Sequence, residues 1–317
     1  MKEYDLMFVN VITPLHNGSG EGLGIVDNPI MRERTTQFPI IQATSIKGVL
    51  RDAYEEKKKS NVEALFGPPP GKGEEHAGAV TFGDGQILAF PVRSLKGCFV
   101  WITSPLVLWR FYQMVNIIDN GQSPQSFPNL SPLIKKIHSS KAKICPSGKK
   151  DIALESNQSK TGEINIFLEE FSIKCIESKE LEALSKEISP KIFDNVDTFM
   201  KTEFEKKLVV LDDDTFRYFV TNATEIVPNI RIGKNGTTEI GSLRYTEFLP
   251  SETIIYSILT FDKARTKNNQ LDATKVKEEF HKTKLSIIQL GGDETTGKGI
   301  VKIALLKGEA TNDRPKH

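Results

Sequence analysis

Cysteine is scarce in this sequence: Cys98, Cys145 and Cys175 are the three present, and no two stand in Cys-x-x-Cys spacing. That argues against a disulfide framework and a cysteine-based zinc site, and fits ordinary thiols in a reducing cytosol. Long apolar runs are also missing. The most apolar stretch, Cys98 to Trp109, is too short to span a bilayer and is broken by Pro105. The opening residues Met1-Lys-Glu-Tyr-Asp5 lack the basic-then-apolar pattern of an export signal, so the chain reads as cytoplasmic, without a membrane partner. Neither sign of charge is in excess, with 42 Lys and Arg against 41 Asp and Glu. No global field therefore steers the protein to nucleic acid, and any groove for a nucleic acid would have to be a local basic patch. His76, His138 and His281 show no spacing that suggests a shared metal.

What is present points to an α+β protein. Residues 4–12 (YDLMFVNVI) are β-prone and polar mainly at the edges, the pattern of a central strand buried on both faces. A glycine-rich loop follows, from Thr13 to about Pro39. Thr44 or Ser45 then caps a helix whose apolar stripe is Ile46, Val49, Leu50, Ala53 and Tyr54, flanked by Lys47 and Arg51. Strands are expected at 79–90 and 97–103, and Ser104-Pro105 opens a helix. Residues 116–160 are rich in Ser, Pro, Lys and Asn, and read as an insertion or flexible lobe. Strands near 163–176, helices near 179–206 and 213–222, and a hairpin flanking Gly233-Lys-Asn-Gly236 follow. Strand 252–261, a helix marked by Val276, Phe280 and Ile287, a strand at 300–306 and a polar tail at 308–317 complete the chain. Strands with helices but no strict βαβα alternation fit a ferredoxin-like core with insertions better than a doubly wound sheet.

Two glycine-rich loops, Gly18-Ser-Gly-Glu-Gly-Leu-Gly24 and Gly291-Gly-Asp-Glu-Thr-Thr-Gly-Lys-Gly299, can each expose backbone N–H groups to phosphate. Neither completes a nucleotide motif. Val26-Asp-Asn-Pro29 follows the first where a dinucleotide site needs a helix, and Gly299 stands where a Walker loop needs Ser or Thr. Asp212-Asp-Asp214 reads as a helix cap and dipole partner, and Glu55-Glu-Lys-Lys-Lys59 as a solvated helix end.

Thr13-Pro-Leu-His-Asn-Gly-Ser-Gly20, Gly24-Ile-Val-Asp27-Asn-Pro-Ile30, Arg32-Glu-Arg34, Phe38-Pro-Ile-Ile41 and Ser45-Ile-Lys-Gly-Val-Leu-Arg51 carry a resemblance to a known family. It continues through Leu65-Phe-Gly67, Phe90-Pro-Val-Arg-Ser-Leu-Lys-Gly97, Thr103-Ser-Pro-Leu-Val-Leu108 and the closing glycine loop. The sequence resembles the repeated backbone subunits of type III-B (Cmr) CRISPR interference complexes, in the RAMP superfamily. The resemblance implies an RNA-recognition-motif-like palm formed by 1–115 and 160–307, with a thumb hairpin at about 225–247. It also implies copies stacked head to tail on a CRISPR guide RNA, capped by other Cmr subunits, since heterologous stacking does not close by itself.

On the same resemblance Asp27 is the catalytic and metal-binding aspartate that cleaves complementary target RNA at regular intervals. Taken alone, it reads as a turn former before Asn28-Pro29. One carboxylate suffices if the cofactor is magnesium or manganese, with RNA oxygens and water as the remaining ligands. His16 is a secondary candidate for proton transfer or RNA contact. Glu247 is a candidate that approaches the cut from a neighbouring subunit; the plain reading is a surface carboxylate. Lys47, Arg51, Arg32, Arg34, Ser45, Arg231, Gly292 and Lys298 are candidates for gripping RNA. A non-catalytic RNA-binding scaffold is the alternative, and a histidine-based guide-processing nuclease a third reading.

Overall fold

The computed structural model describes residues 2–308 except 23, 58–59, 70, 72–75, 122–124, 141–142, 147–150, 154–162, 194–196 and 267–269. Most of the polar tail lies outside the described residues. Four antiparallel strands form the core: β1 (Glu3–Val11), β4 (Gly85–Arg93), β12 (Ile254–Phe261) and β14 (Ile300–Lys307), in the order β14-β1-β12-β4. Helix α1 (Ala43–Glu56) leads from β1 towards β4, and α8 (Ala273–His281) from β12 towards β14. That order with those two crossovers is the ferredoxin-like split βαβ arrangement expected from the sequence.

Period-two alternation explains why β1 reads as almost continuously apolar. Phe8 and its cross-strand partner Tyr256 meet Phe111 of α3 (Pro105–Ile118) on one face. On the other face Phe261 and Phe82 meet Phe280 of α8, which stacks on Tyr54 of α1. Both faces are covered, so both parities of the strand are apolar. Ser104 caps α3 by accepting from the Val107 N–H, as its sequence predicts.

Short strands extend the core sheet. β2 (Ile40–Ile41) pairs with β4, and β3 (Val80–Phe82) with β12. Beyond β4 come β5 (Phe99–Thr103), β9 (Leu208–Val210), β6 (Ile144–Pro146), β8 (Phe171–Ser178) and β7 (Glu163–Leu168); β13 (Ile287–Gln289) edges β14. Helices α2 (Val62–Phe66), α4 (Leu130–Ser140), α5 (Lys179–Ile192), α6 (Thr198–Lys207) and α7 (Asp213–Asn222) complete the fold. The hairpin expected at about 225–247 is a separate two-stranded sheet, β10 (Glu225–Asn229) and β11 (Arg244–Phe248).

Several local readings need correction. Neither Thr44 nor Ser45 caps α1: Gln42 occupies the cap position, and Asp84 Oδ1 accepts from the Ala43 N–H at 2.8 Å from another part of the chain. Segment 116–160, read as an insertion or flexible lobe, contributes α4 and β6, and Phe127, Leu130 and Leu133 are fully buried in the core. Ile287 belongs to β13, not to the preceding helix. The expected strand 79–90 breaks at Gly83-Asp84 into β3 and β4.

Candidate functional site

The loop after β1 and the closing glycine loop converge on the hairpin strand β11. In β11, Arg244, Thr246 and Phe248 alternate with Tyr245 and Glu247, whose main-chain groups face away from β10 towards the first loop. Tyr245 N–H donates to Asp27 Oδ2 at 2.7 Å, and Tyr245 C=O accepts from the Asn28 N–H at 3.0 Å. Glu247 N–H donates to the Asn28 C=O at 3.0 Å, and Glu247 C=O lies 2.7 Å from His16 Nδ1. Asp27 and His16 thus hang from one strand edge at positions two residues apart, roughly 7 Å along the strand. Asp27 Oδ1 has no hydrogen-bond partner among the described residues.

A carbonyl oxygen only accepts, so His16 Nδ1 carries the proton in that contact. Nε2 of the neutral ring is therefore the lone-pair nitrogen. The ring packs edge-on against Phe248, with centroids 5.7 Å apart, and Lys298 Nζ sits 4.9 Å from the centre of the same Phe248 ring. Lys298 also acts on Glu225 at the base of β10: burial pushes that carboxyl above its ordinary range, and the ammonium pulls it back. Gly292 N–H donates to His16 C=O at 2.9 Å, closing the glycine loop onto the His16 segment. This approach needs glycine beside it: a Cβ on Gly291, at φ 79°, would lie 2.2 Å from His16 O.

Glu247 is not a surface carboxylate. Its side chain is 8% exposed; Oε1 takes Arg32 at 2.5 Å and the Thr224 hydroxyl at 2.8 Å, and Oε2 takes the Ile30 N–H at 3.0 Å. The Arg32 guanidinium also donates to Gln37 O and Val220 O, so it is committed to the protein rather than open to phosphate. Arg51 is likewise engaged, with Glu55 and with the carbonyls of Gly67 and Pro68. Lys47 and Ser45 are half-buried on α1, Arg34 is exposed, and Arg231 lies exposed on the hairpin, near Glu239. The structure therefore gathers His16, Asp27, Arg32, Glu247, Gly292 and Lys298 at β11; no described contact links Lys47, Arg51, Arg34, Ser45 or Arg231 to that cluster. The sequence reading missed Asn28, Thr246 and Phe248, whose contacts with the first loop span more than two hundred residues, and Thr224, which reaches Glu247 across the hairpin from 23 residues away. Asp212 caps α7 by accepting from the Thr215 N–H, as expected.

The RAMP superfamily profile matches residues 8–302. Among curated proteins, the CRISPR system Cmr endoribonuclease Cmr4 of Pyrococcus furiosus is 38% identical over all of this chain and 99% of its own length. The CRISPR system CMR subunit Cmr4 of Saccharolobus solfataricus is 25% identical over 94% of this chain and 95% of its own. The crystal structure of oligomeric Cmr4 from Pyrococcus furiosus superposes with a TM-score of 0.69 at 31% identity, covering 98% of this chain and all of that one. A chain of the type III-B Cmr-beta complex bound to cognate target RNA shares the fold at 23% identity, with a TM-score of 0.71 over 95% of this chain and 96% of that one. With a profile match along nearly the whole chain and a full-length relative at 38% identity, the chain belongs to the RAMP superfamily and, within it, to the family of the Cmr4 proteins.

Proposed function

We propose that this protein is the repeated backbone subunit of a type III-B CRISPR complex and an endoribonuclease within it, cutting target RNA paired with a guide. Family membership supports the assembly reading, with CRISPR guide RNA, complementary target RNA, further copies of the chain and other Cmr subunits as partners in the cytoplasm. The observation that carries the catalytic reading is the suspension of Asp27 from the thumb strand: one carboxylate oxygen is fixed by Tyr245 N–H, and the other has no described partner.

Among the described residues no group of three or more His, Cys, Asp or Glu could cage a metal ion. The donor set fits magnesium or manganese held by Asp27, with waters and phosphate oxygens as the other ligands, because such ions tolerate one or two carboxylates. When bound, the ion neutralises charge developing on the phosphate. The remaining work falls to the chain. Tyr245 N–H orients Asp27, and His16, with Nδ1–H tied to Glu247 C=O, offers the Nε2 lone pair to a ribose 2′-hydroxyl proton. Lys298 adds positive charge on the Phe248 side of the site.

The test is a reconstituted guide-loaded complex carrying wild type or Asp27→Ala, assayed on complementary RNA with magnesium or EDTA, at matched target binding. Loss of the regularly spaced cuts in Asp27→Ala and in EDTA, with binding retained, supports the reading. Undiminished cutting by Asp27→Ala makes the chain a scaffold, and wild-type cutting that persists undiminished in EDTA points to metal-independent chemistry.

A further inference from the structure

We propose that the Thr246 hydroxyl is a positioning group that sets Asp27 through Asn28, coupling the thumb hairpin to the cleavage loop; this rests on the nuclease reading above. Thr246 lies on β11 and is 5% exposed. Its Oγ1 accepts from two amides at once: Asn28 Nδ2 at 3.3 Å, from the loop, and Asn229 Nδ2 at 3.2 Å, from the end of the opposite hairpin arm. One hydroxyl therefore ties the loop and both thumb arms together.

Asn28 is the residue next to Asp27, and its own N–H and C=O already pair with Tyr245 and Glu247. Those main-chain bonds fix where the loop runs along β11. A roll of the loop about the line joining them would swing the Asp27 carboxylate against its single bond to the Tyr245 N–H. The Asn28 amide, reaching Thr246 beyond that line, resists it. Because Asn229 shares the acceptor, displacement of the hairpin arm by bound RNA changes the grip on Asn28. Glu247 acts on the later residues Ile30 and Arg32 and so holds the far end of the loop.

Thr246→Val keeps the β-branched shape and removes the acceptor, whereas Thr246→Ser keeps the acceptor and loses a methyl. Wild type, both variants and Asp27→Ala are compared in the guide-loaded complex for single-turnover cleavage at saturating target, target affinity and melting temperature. The expected result for Thr246→Val is cleavage slowed about tenfold, the scale of one lost positioning hydrogen bond, with affinity unchanged and Ser restoring most of the rate. Wild-type cutting by Thr246→Val, a Ser variant as slow as Val, or a rate loss matched by weakened target binding each overturns the proposal. If Asp27→Ala cuts like wild type, the nuclease reading itself fails; if Asp27→Ala is dead and Thr246→Val is unaffected, the positioning proposal alone fails. Should Thr246→Val not assemble, Asn28→Ala removes the same contact from the more exposed side, and the same outcomes decide.

Discussion

Replacing Arg32 by methionine isolates one buried charge. In the wild type the Arg32 guanidinium meets Glu247 Oε1 at 2.5 Å, with side chains 13% and 8% exposed. Removing one member of such a pair costs about 3–5 kcal/mol, because the remaining charge stays desolvated without its counter-ion. Glu247 keeps two donors, the Ile30 N–H and the Thr224 hydroxyl, which places the expected loss near the lower end, about 3 kcal/mol. At about 2 °C per kcal/mol for a chain of this size, the melting temperature falls by roughly 6 °C. The double variant Arg32→Met/Glu247→Gln removes the orphaned charge, keeps an oxygen for the Ile30 N–H and turns an NH2 towards the Thr224 hydroxyl, which can rotate to accept from it, so it recovers at least half of that fall. Circular-dichroism melts at fixed protein concentration measure both. A single variant that melts within a degree of wild type, or a double variant no more stable than the single, refutes the view that this pair is a desolvated anchor of the loop.

Other outcomes follow from the same geometry. Gly299→Ala, at φ 73° with its Cβ 1.9 Å from Leu290 O, should destabilise by about 2–3 kcal/mol in thermal unfolding, whereas Gly48→Ala, facing open space on α1, should stabilise by about 0.5–1 kcal/mol. Asp84→Ala removes the remote cap of α1 and should cost about 1 kcal/mol by the same assay. The Lys136 ammonium, together with the Glu180 N–H and the Ser178 hydroxyl, holds the Glu180 carboxyl at about 2, below its ordinary 4.5. Its folded-state value being the lower, this group stabilises the fold above the ordinary value and loses that contribution as pH falls towards 2. Lys136→Met should therefore flatten the acid side of a stability-versus-pH titration, most visibly between those two values.

Elements governed by short-range pattern were legible in the sequence. β1 declared itself because both faces are covered, and α3 because Ser104 and Pro105 announce its first turn. The apolar stripe of α1 was equally plain, but its cap was not, since Asp84 lies 41 residues from Ala43. α4 was hidden by its Ser- and Lys-rich setting, although Leu130, Leu133, Ile134 and Ile137 keep helical spacing and were the signal available. In the site, family resemblance singled out Asp27 and His16, yet the strand edge that suspends them could not be read from spacing. Arg32 illustrates the limit: an arginine beside a glycine-rich loop suggests phosphate, and only the fold shows its charge answered by Glu247, 215 residues away.

The place of β1 between β12 and β14 has a consequence for how the chain is made. β1 is nearly all apolar and leaves the ribosome well before both of its hydrogen-bonding neighbours, which begin at Ile254 or later. At about 5–20 residues per second, the ~240 intervening residues take roughly 12–50 s to synthesise. Throughout that interval β1 has two open edges and neither sheet neighbour, an aggregation-prone arrangement, and any product terminated before Ile254 lacks both partners of its central strand.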